Sequence, residues 1–127
     1  MMKTIFVVDD SDINLSLAKK TLEDHYRVLT MPSVKKMFSL LEKITPDLIL
    51  LDIEMPDIGG FEALLSLKSN PLYSGIPVVF LTGYTDNTIE ARGYEQGVAD
   101  FITKPFSSLT LINCIKSNLE KVLKEAL

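Results

Sequence analysis

The chain has 127 residues, 46% hydrophobic and 24% charged, with a net charge of −4, which builds one globular domain with a real core and excludes a disordered chain. One cysteine (Cys114) and one histidine (His25) exclude a disulfide framework and a cysteine-based zinc site, and they argue against multi-histidine metal or Ser-His-Asp chemistry. Scattered basic residues, no apolar run long enough to span a membrane and an N-terminus unlike a signal peptide point away from nucleic acid and membrane and toward a reducing, cytoplasmic setting.

In chain order, the first apolar run is Ile5-Phe6-Val7-Val8, which stops at Asp9-Asp10. A helical segment follows and ends at His25. Tyr26 to Leu29 is the second strand, running out at Thr30-Met31 without a charge. Val34, Met37, Phe38 and Leu41 then recur at helical spacing behind Ser33 as N-cap. Leu48 to Leu51 is the third strand, closed by Asp52. Phe61, Leu64, Leu65 and Lys68 form a helical stripe after Gly59-Gly60. Val78 to Leu81 is the fourth strand and leads into Thr82-Gly83. A helix over Thr88 to Tyr94 follows Asp86, and Phe101-Ile102 leads into Thr103-Lys104-Pro105. The last helix sets Leu109, Ile112, Ile115, Leu119 and Val122 on one face, with the same stepping reaching Ala126. Its tail reads as cover for the sheet, as a reach toward a dimer partner, or as a lead into a further domain. Near-continuous apolar runs mark parallel strands buried on both faces. Five βα units in succession give an α/β fold: a five-stranded parallel sheet, doubly wound as (βα)5, in one domain over 1–127.

In such sheets ligands bind beyond the carboxyl ends of the strands. Four of these five ends carry polar groups: Asp9-Asp10, Asp52, Thr82-Gly83 and Thr103-Lys104. Each has a plain reading alone: Asp9 as a cap, Thr82 as a strand end, Lys104 as a solvated cation. Asp52, closing a buried strand, is harder to dismiss. If strands 1 and 3 are neighbours, three carboxylates meet, and each pair repels by roughly 4 kcal/mol at about 4 Å and an effective dielectric near 20. Lys104 supplies one relieving charge. A hard divalent cation, Mg²⁺ (or Mn²⁺), supplies more, and it would keep waters and a phosphate oxygen. An acid, this cation, a hydroxyl and an ammonium together describe a site that stabilises a phosphoryl group.

The segments VVDDS at 7–11, LILLDIEMPDIGGFE at 48–62, VVFLTG at 78–83 and ADFITKPF at 99–106 resemble the receiver domain of two-component response regulators, with spacing that covers essentially the whole chain. The resemblance implies flavodoxin-like strand order 2-1-3-4-5. It implies Asp52 as phosphoacceptor, Asp10 as a direct Mg²⁺ ligand and Asp9 as an acid holding a metal-bound water. The backbone carbonyl of Glu54 would be the third protein ligand. Thr82 and Lys104 match the family's hydroxyl and lysine, Gly83 offers an amide, Phe101 matches the switch aromatic, and Pro105 is expected to be cis. The donor would be a phosphohistidine on a sensor histidine kinase or phosphotransfer protein. The output would be a population shift of the surface formed by the fourth helix, fifth strand and fifth helix, which could also form a homodimer. The downstream partner or output domain is left unnamed by the sequence.

Departures from the family pattern are Gly59 in place of the common Asp or Asn, and Phe101 in place of the common Tyr. The resemblance places Glu54 and Tyr84 at positions that flank the phosphoryl pocket in the family. An acid there could orient water while Tyr84 shields the site, and shielding is expected to win. Two rivals stand beside a phosphorylated receiver: a receiver that acts only as a scaffold, and a haloacid-dehalogenase-like phosphatase. The second needs an Asp where Glu54 stands, and nothing supplies its cap domain. A flavodoxin-like cofactor binder is disfavoured by the acidic loop DDSDIN.

Overall fold

A computed structural model describes residues 2–126 of the chain, except the side chain of Ala126. The elements alternate as β1 (Thr4–Val8), α1 (Asp12–Leu22), β2 (Arg27–Met31), α2 (Val34–Leu41), β3 (Leu48–Asp52), α3 (Gly60–Ser69), β4 (Val78–Thr82), α4 (Asn87–Glu95), β5 (Asp100–Thr103) and α5 (Ser108–Ala126). The strands form one parallel sheet in the order β2-β1-β3-β4-β5, the doubly wound arrangement expected.

Alternation along the central strands sorts the core into two layers. Phe6, Val8, Ile49, Leu51, Val78 and Phe80 point to the side covered by α2, α3 and α4. Ile5, Val7, Leu48, Leu50, Val79 and Leu81 point to the side covered by α1 and α5. β1, β3 and β4 are buried along their whole length, which is why their sequences read as unbroken apolar runs. β2 and β5 are edge strands and are buried only in part.

Four helices start on side-chain caps, α5 among them, where Ser107 Oγ accepts from Thr110 N at 3.1 Å. Ser11 accepts from Asn14 N, Ser33 from Lys36 N and Asp86 from Ile89 N. Gly59 caps α3 without a side-chain bond. The constrained glycine is the next one: a Cβ on Gly60 would stand 2.7 Å from Ile53 Cα and 2.9 Å from the Asp52 carbonyl oxygen. The start of α3 is therefore pressed directly against the end of β3.

Four sequence expectations shift, the first being β2, which runs from Arg27 to Met31 rather than over Tyr26 to Leu29. α1 ends at Leu22, and His25 is an exposed residue in the turn after it. In α3 the buried stripe is Ala63, Leu64 and Leu67, with Leu65 half exposed. In α5 the buried residues are Leu111 and Ile115, together with Asn118, whereas Leu109 is 68% exposed. Ala126, assigned to that stripe, lies outside the described side chains. No described helix is long and apolar enough to cross a membrane.

Candidate functional site

Parallel register brings the strand ends together. Val8 pairs with Leu51, Asp52 with Leu81 and Thr82 with Thr103, so the residues that follow each strand emerge on one edge. Asp9 and Asp52 are buried there, while Asp10 is exposed. Oxygens of the three carboxylates lie within 4.8 Å of one another.

Lys104 joins two of them. Its Nζ lies 3.2 Å from Asp52 Oδ1 and 3.4 Å from Asp9 Oδ2. Its backbone N–H donates to the Thr82 carbonyl at 2.7 Å, which fixes the base of the side chain, and the Lys104–Pro105 peptide bond is cis. Asp9 is held by two donors from the start of α1: Ser11 N at 2.9 Å to Oδ1 and Asn14 Nδ2 at 3.2 Å to Oδ2. Asp52 Oδ1 also accepts the Glu54 N–H at 3.1 Å. Both contacts of Asp52 fall on Oδ1, so among the described residues Oδ2 takes no donor.

The electrostatics follow from burial and crowding. Desolvation pushes the Asp52 carboxyl up to about 6; the Glu54 N–H opposes the rise, Asp9 adds to it, and Lys104 opposes it. Burial alone would lower the Lys104 ammonium, but Asp52 and Asp9 outweigh it and hold its pKa above the ordinary lysine value. One lysine thus leaves a carboxylate in this cluster short of counter-charge. An all-oxygen, acid-rich donor set with one exposed member fits a hard divalent cation.

Thr82 is buried, and its hydroxyl is engaged locally. Oγ1 lies 2.5 Å from the Tyr84 carbonyl oxygen, accepts the Tyr84 N–H at 3.1 Å and lies 3.2 Å from Glu54 Oε1. The Glu54 carboxylate thus reaches across to β4, and a Cβ on the exposed Gly83 would lie 4.0 Å from its Oε2. Tyr84 serves the site through its backbone. Tyr84 is 64% exposed, and its hydroxyl lies 3.4 Å from Asp86 Oδ2.

Phe101 lies behind the site, between β4 and α4. Its ring centroid is 5.6 Å from that of Phe80 and 5.4 Å from that of Tyr94, both edge-on. Sequence reasoning missed Asn14, Gly60 and Gly93. Asn14 had a signal, standing three residues after the Ser11 cap; the two glycines matter only through residues distant in sequence.

The model of the response regulator receiver domain family matches residues 5–116. A probable cyclic di-GMP phosphodiesterase of Vibrio cholerae is 37% identical over 117 residues, 92% of this chain but 26% of its own length. The chain spans about a quarter or less of the first curated relatives it matches. The Pseudomonas aeruginosa protein PilH is 34% identical over 119 residues, covering 93% of this chain and 98% of that protein. The structure of the chemotaxis protein CheY4 of Vibrio cholerae superposes with a TM-score of 0.88 at 27% identity, covering 92% of this chain and 98% of that one. A match of this extent makes the chain a member of the response regulator receiver domain family, the CheY-like receivers of two-component signalling.

Proposed function

We propose that residues 1–127 form a single receiver domain that takes a phosphoryl group onto Asp52 and passes the change to the face built from α4, β5 and α5. The observation that supports this reading best is the approach of Lys104 to Asp52 beside the three-carboxylate cluster. Asp10, Asp52 and the Glu54 backbone carbonyl would hold Mg²⁺ (or Mn²⁺), with Asp9 acting through water. When bound, the cation neutralises charge on the transferring group and on the acceptor.

The donor is a phosphohistidine of a sensor histidine kinase or phosphotransfer protein. Asp52 Oδ2 attacks phosphorus in line; the O–P bond forms as the P–N bond breaks, and the imidazole leaves with the electron pair. Lys104 then binds a phosphoryl oxygen through a charge-assisted hydrogen bond. The Thr82 hydroxyl and the Gly83 amide take the others, which requires Thr82 to leave the Tyr84 carbonyl and Glu54. That movement is the input to Phe101, and Thr82 and Phe101 together form the switch pair. The recipient is a downstream protein, an output domain or a second copy docked on the α4–β5–α5 face, in the cytoplasm.

The deciding experiment is intact mass after incubation with a small-molecule phosphodonor, with and without Mg²⁺, on wild type and Asp52→Asn. A Mg²⁺-dependent gain of one phosphoryl group in wild type alone is the expected result. An equal gain in Asp52→Asn would remove Asp52 as acceptor. No gain from either the small donor or a phosphorylated histidine protein would leave a scaffold that works without phosphate.

A further inference from the structure

The Phe101 ring occupies a seat that exists because residue 93 has no side chain. Gly93 is the buried residue of α4, and a Cβ there would stand 2.5 Å from Phe101 Cζ and 3.0 Å from Cε1. Neither ring atom is the loose end of a flexible chain: the ring is bounded by Phe80 on its inner side and Tyr94 on its outer side. Val98 Cγ1, 3.1 Å from the same point, closes the seat from the end of α4. A glycine inside a helix forfeits propensity relative to alanine, so this one is unfavourable locally and gains its use from the ring.

The helix cannot simply rise to make room. Arg92, the preceding residue, lays its guanidinium 4.0 Å from the centroid of Phe61 on α3, and Phe61 packs edge-on against Phe80 at 5.1 Å. α4 is thereby tied down on the α3 side of the ring. Meanwhile the Thr82 hydroxyl is still committed to the Tyr84 backbone and Glu54. The ring is seated before Thr82 has moved, whereas the expected order has the ring follow the hydroxyl.

We propose that Gly93 is a positioning residue for Phe101: by leaving the seat empty of a Cβ, it makes the seated ring the resting state and sets how much work a phosphoryl group must do at the switch. The seat itself stands on packing alone; its effect on phosphoryl binding rests on the reading of Asp52 given above.

The test therefore has two arms. In the first, NMR without any phosphodonor follows nuclear Overhauser contacts of the Phe101 ring. Wild type should show contacts to Phe80 and to the Gly93 α-protons; Gly93→Ala should lose those to Phe80 while remaining folded in a urea titration. In the second, beryllofluoride with Mg²⁺ is titrated as the phosphoryl mimic. Gly93→Ala should bind about tenfold more weakly, since two linked equilibria must shift each other by the same factor. In a Phe101→Leu background, which lacks the atoms the new methyl would meet, Gly93→Ala should leave beryllofluoride affinity unchanged. Retention of the Phe101–Phe80 contacts in Gly93→Ala overturns the seat. Loss of those contacts with unchanged affinity overturns its link to the phosphoryl site, and an equal loss of affinity in the Phe101→Leu background overturns Phe101 as the intermediary. If Gly93→Ala does not fold, Gly93→Ala with Phe101→Leu should fold; failure of both also overturns the seat.

Discussion

Replacing Asp52 by Asn should stabilise the metal-free protein, and the gain should depend on pH in a defined way. The Asp52 carboxyl is raised from 3.8 to about 6, chiefly by desolvation. Ionising it in the fold thus costs about 3 kcal/mol more than ionising it in the unfolded chain. Because the folded form holds its proton to higher pH, it binds more protons than the unfolded form between the two values. Wild-type stability is therefore lost as pH rises from about 4 to about 6, and above that the loss is complete. Asparagine keeps the shape without the charge. Lys104 retains Asp9 but gives up its 3.2 Å contact with Asp52, which offsets part of the gain. The net expectation is about 1–3 kcal/mol above pH 7, or roughly 3–9 °C in Tm for a domain of this size. Thermal melts in EDTA at pH 4, 5, 6 and 7.5 measure it. Adding Mg²⁺ should narrow the gap, because a cation that binds the wild-type fold stabilises it by mass action. A gap that is the same at pH 4 and pH 7.5, or a variant no more stable than wild type at pH 7.5, would show that burying the ionised Asp52 carboxylate is not what this site strains against.

Three further outcomes follow from the same coordinates. Glu54→Gln should quicken phosphorylation by a small-molecule donor about fivefold in a mass-spectrometric time course, since two charges 4 Å apart in water repel by about 1 kcal/mol; an unchanged rate would mean the carboxylate swings clear before the donor arrives. Burial, with Asp100 adding to it, pushes the Cys114 thiol up to about 12, so iodoacetamide at pH 8 should alkylate it about a thousandfold more slowly than an ordinary thiol of pKa 9.0; a rate within tenfold of that thiol would refute the assignment. Gly60→Ala forces a methyl onto the backbone of Ile53 and Asp52 and should cost about 1–3 kcal/mol in urea unfolding, whereas an unshifted midpoint would mean α3 has slack.

The legible parts of the sequence are those whose meaning is local. β1, β3 and β4 are buried on both faces, so all but one position of each is apolar and the run announces itself. Parallel register then places the residues that follow each strand on one edge, which is why Asp9, Asp10, Asp52, Thr82 and Lys104 could be gathered without coordinates. β2 was read short because its last two residues, Thr30 and Met31, pair with Val7 and Val8 at a partly exposed edge. On α5 the expected face holds at Ile115, with Ile112 and Leu119 packed beside it, and fails at its ends, where Leu109 and Val122 are exposed. The buried stripe of the helix runs through Leu111, Ile115 and Asn118, and an asparagine breaks the apolar pattern. Asn118 is buried because its amide donates to Asp100 Oδ2 at 3.2 Å and to the Cys114 carbonyl at 2.8 Å. No periodicity rule admits a polar residue whose partner lies 18 residues away in sequence on β5.

The same distinction separates the two halves of the switch. The acidic half is written at strand ends, where residue type and position suffice. The aromatic half depends on what is missing: Phe101 can sit against Phe80 only because a helix crossing above it carries no Cβ at Gly93. In sequence, that glycine is merely a weak point in α4. In the fold it is the width of a pocket, and its effect on a ring eight residues later is felt through packing, where a contact at 2.5 Å is decided by single atoms. The strand-end cluster is therefore legible from residue type and position, whereas the room for the Phe101 ring under α4 is legible only once the helix is packed on it.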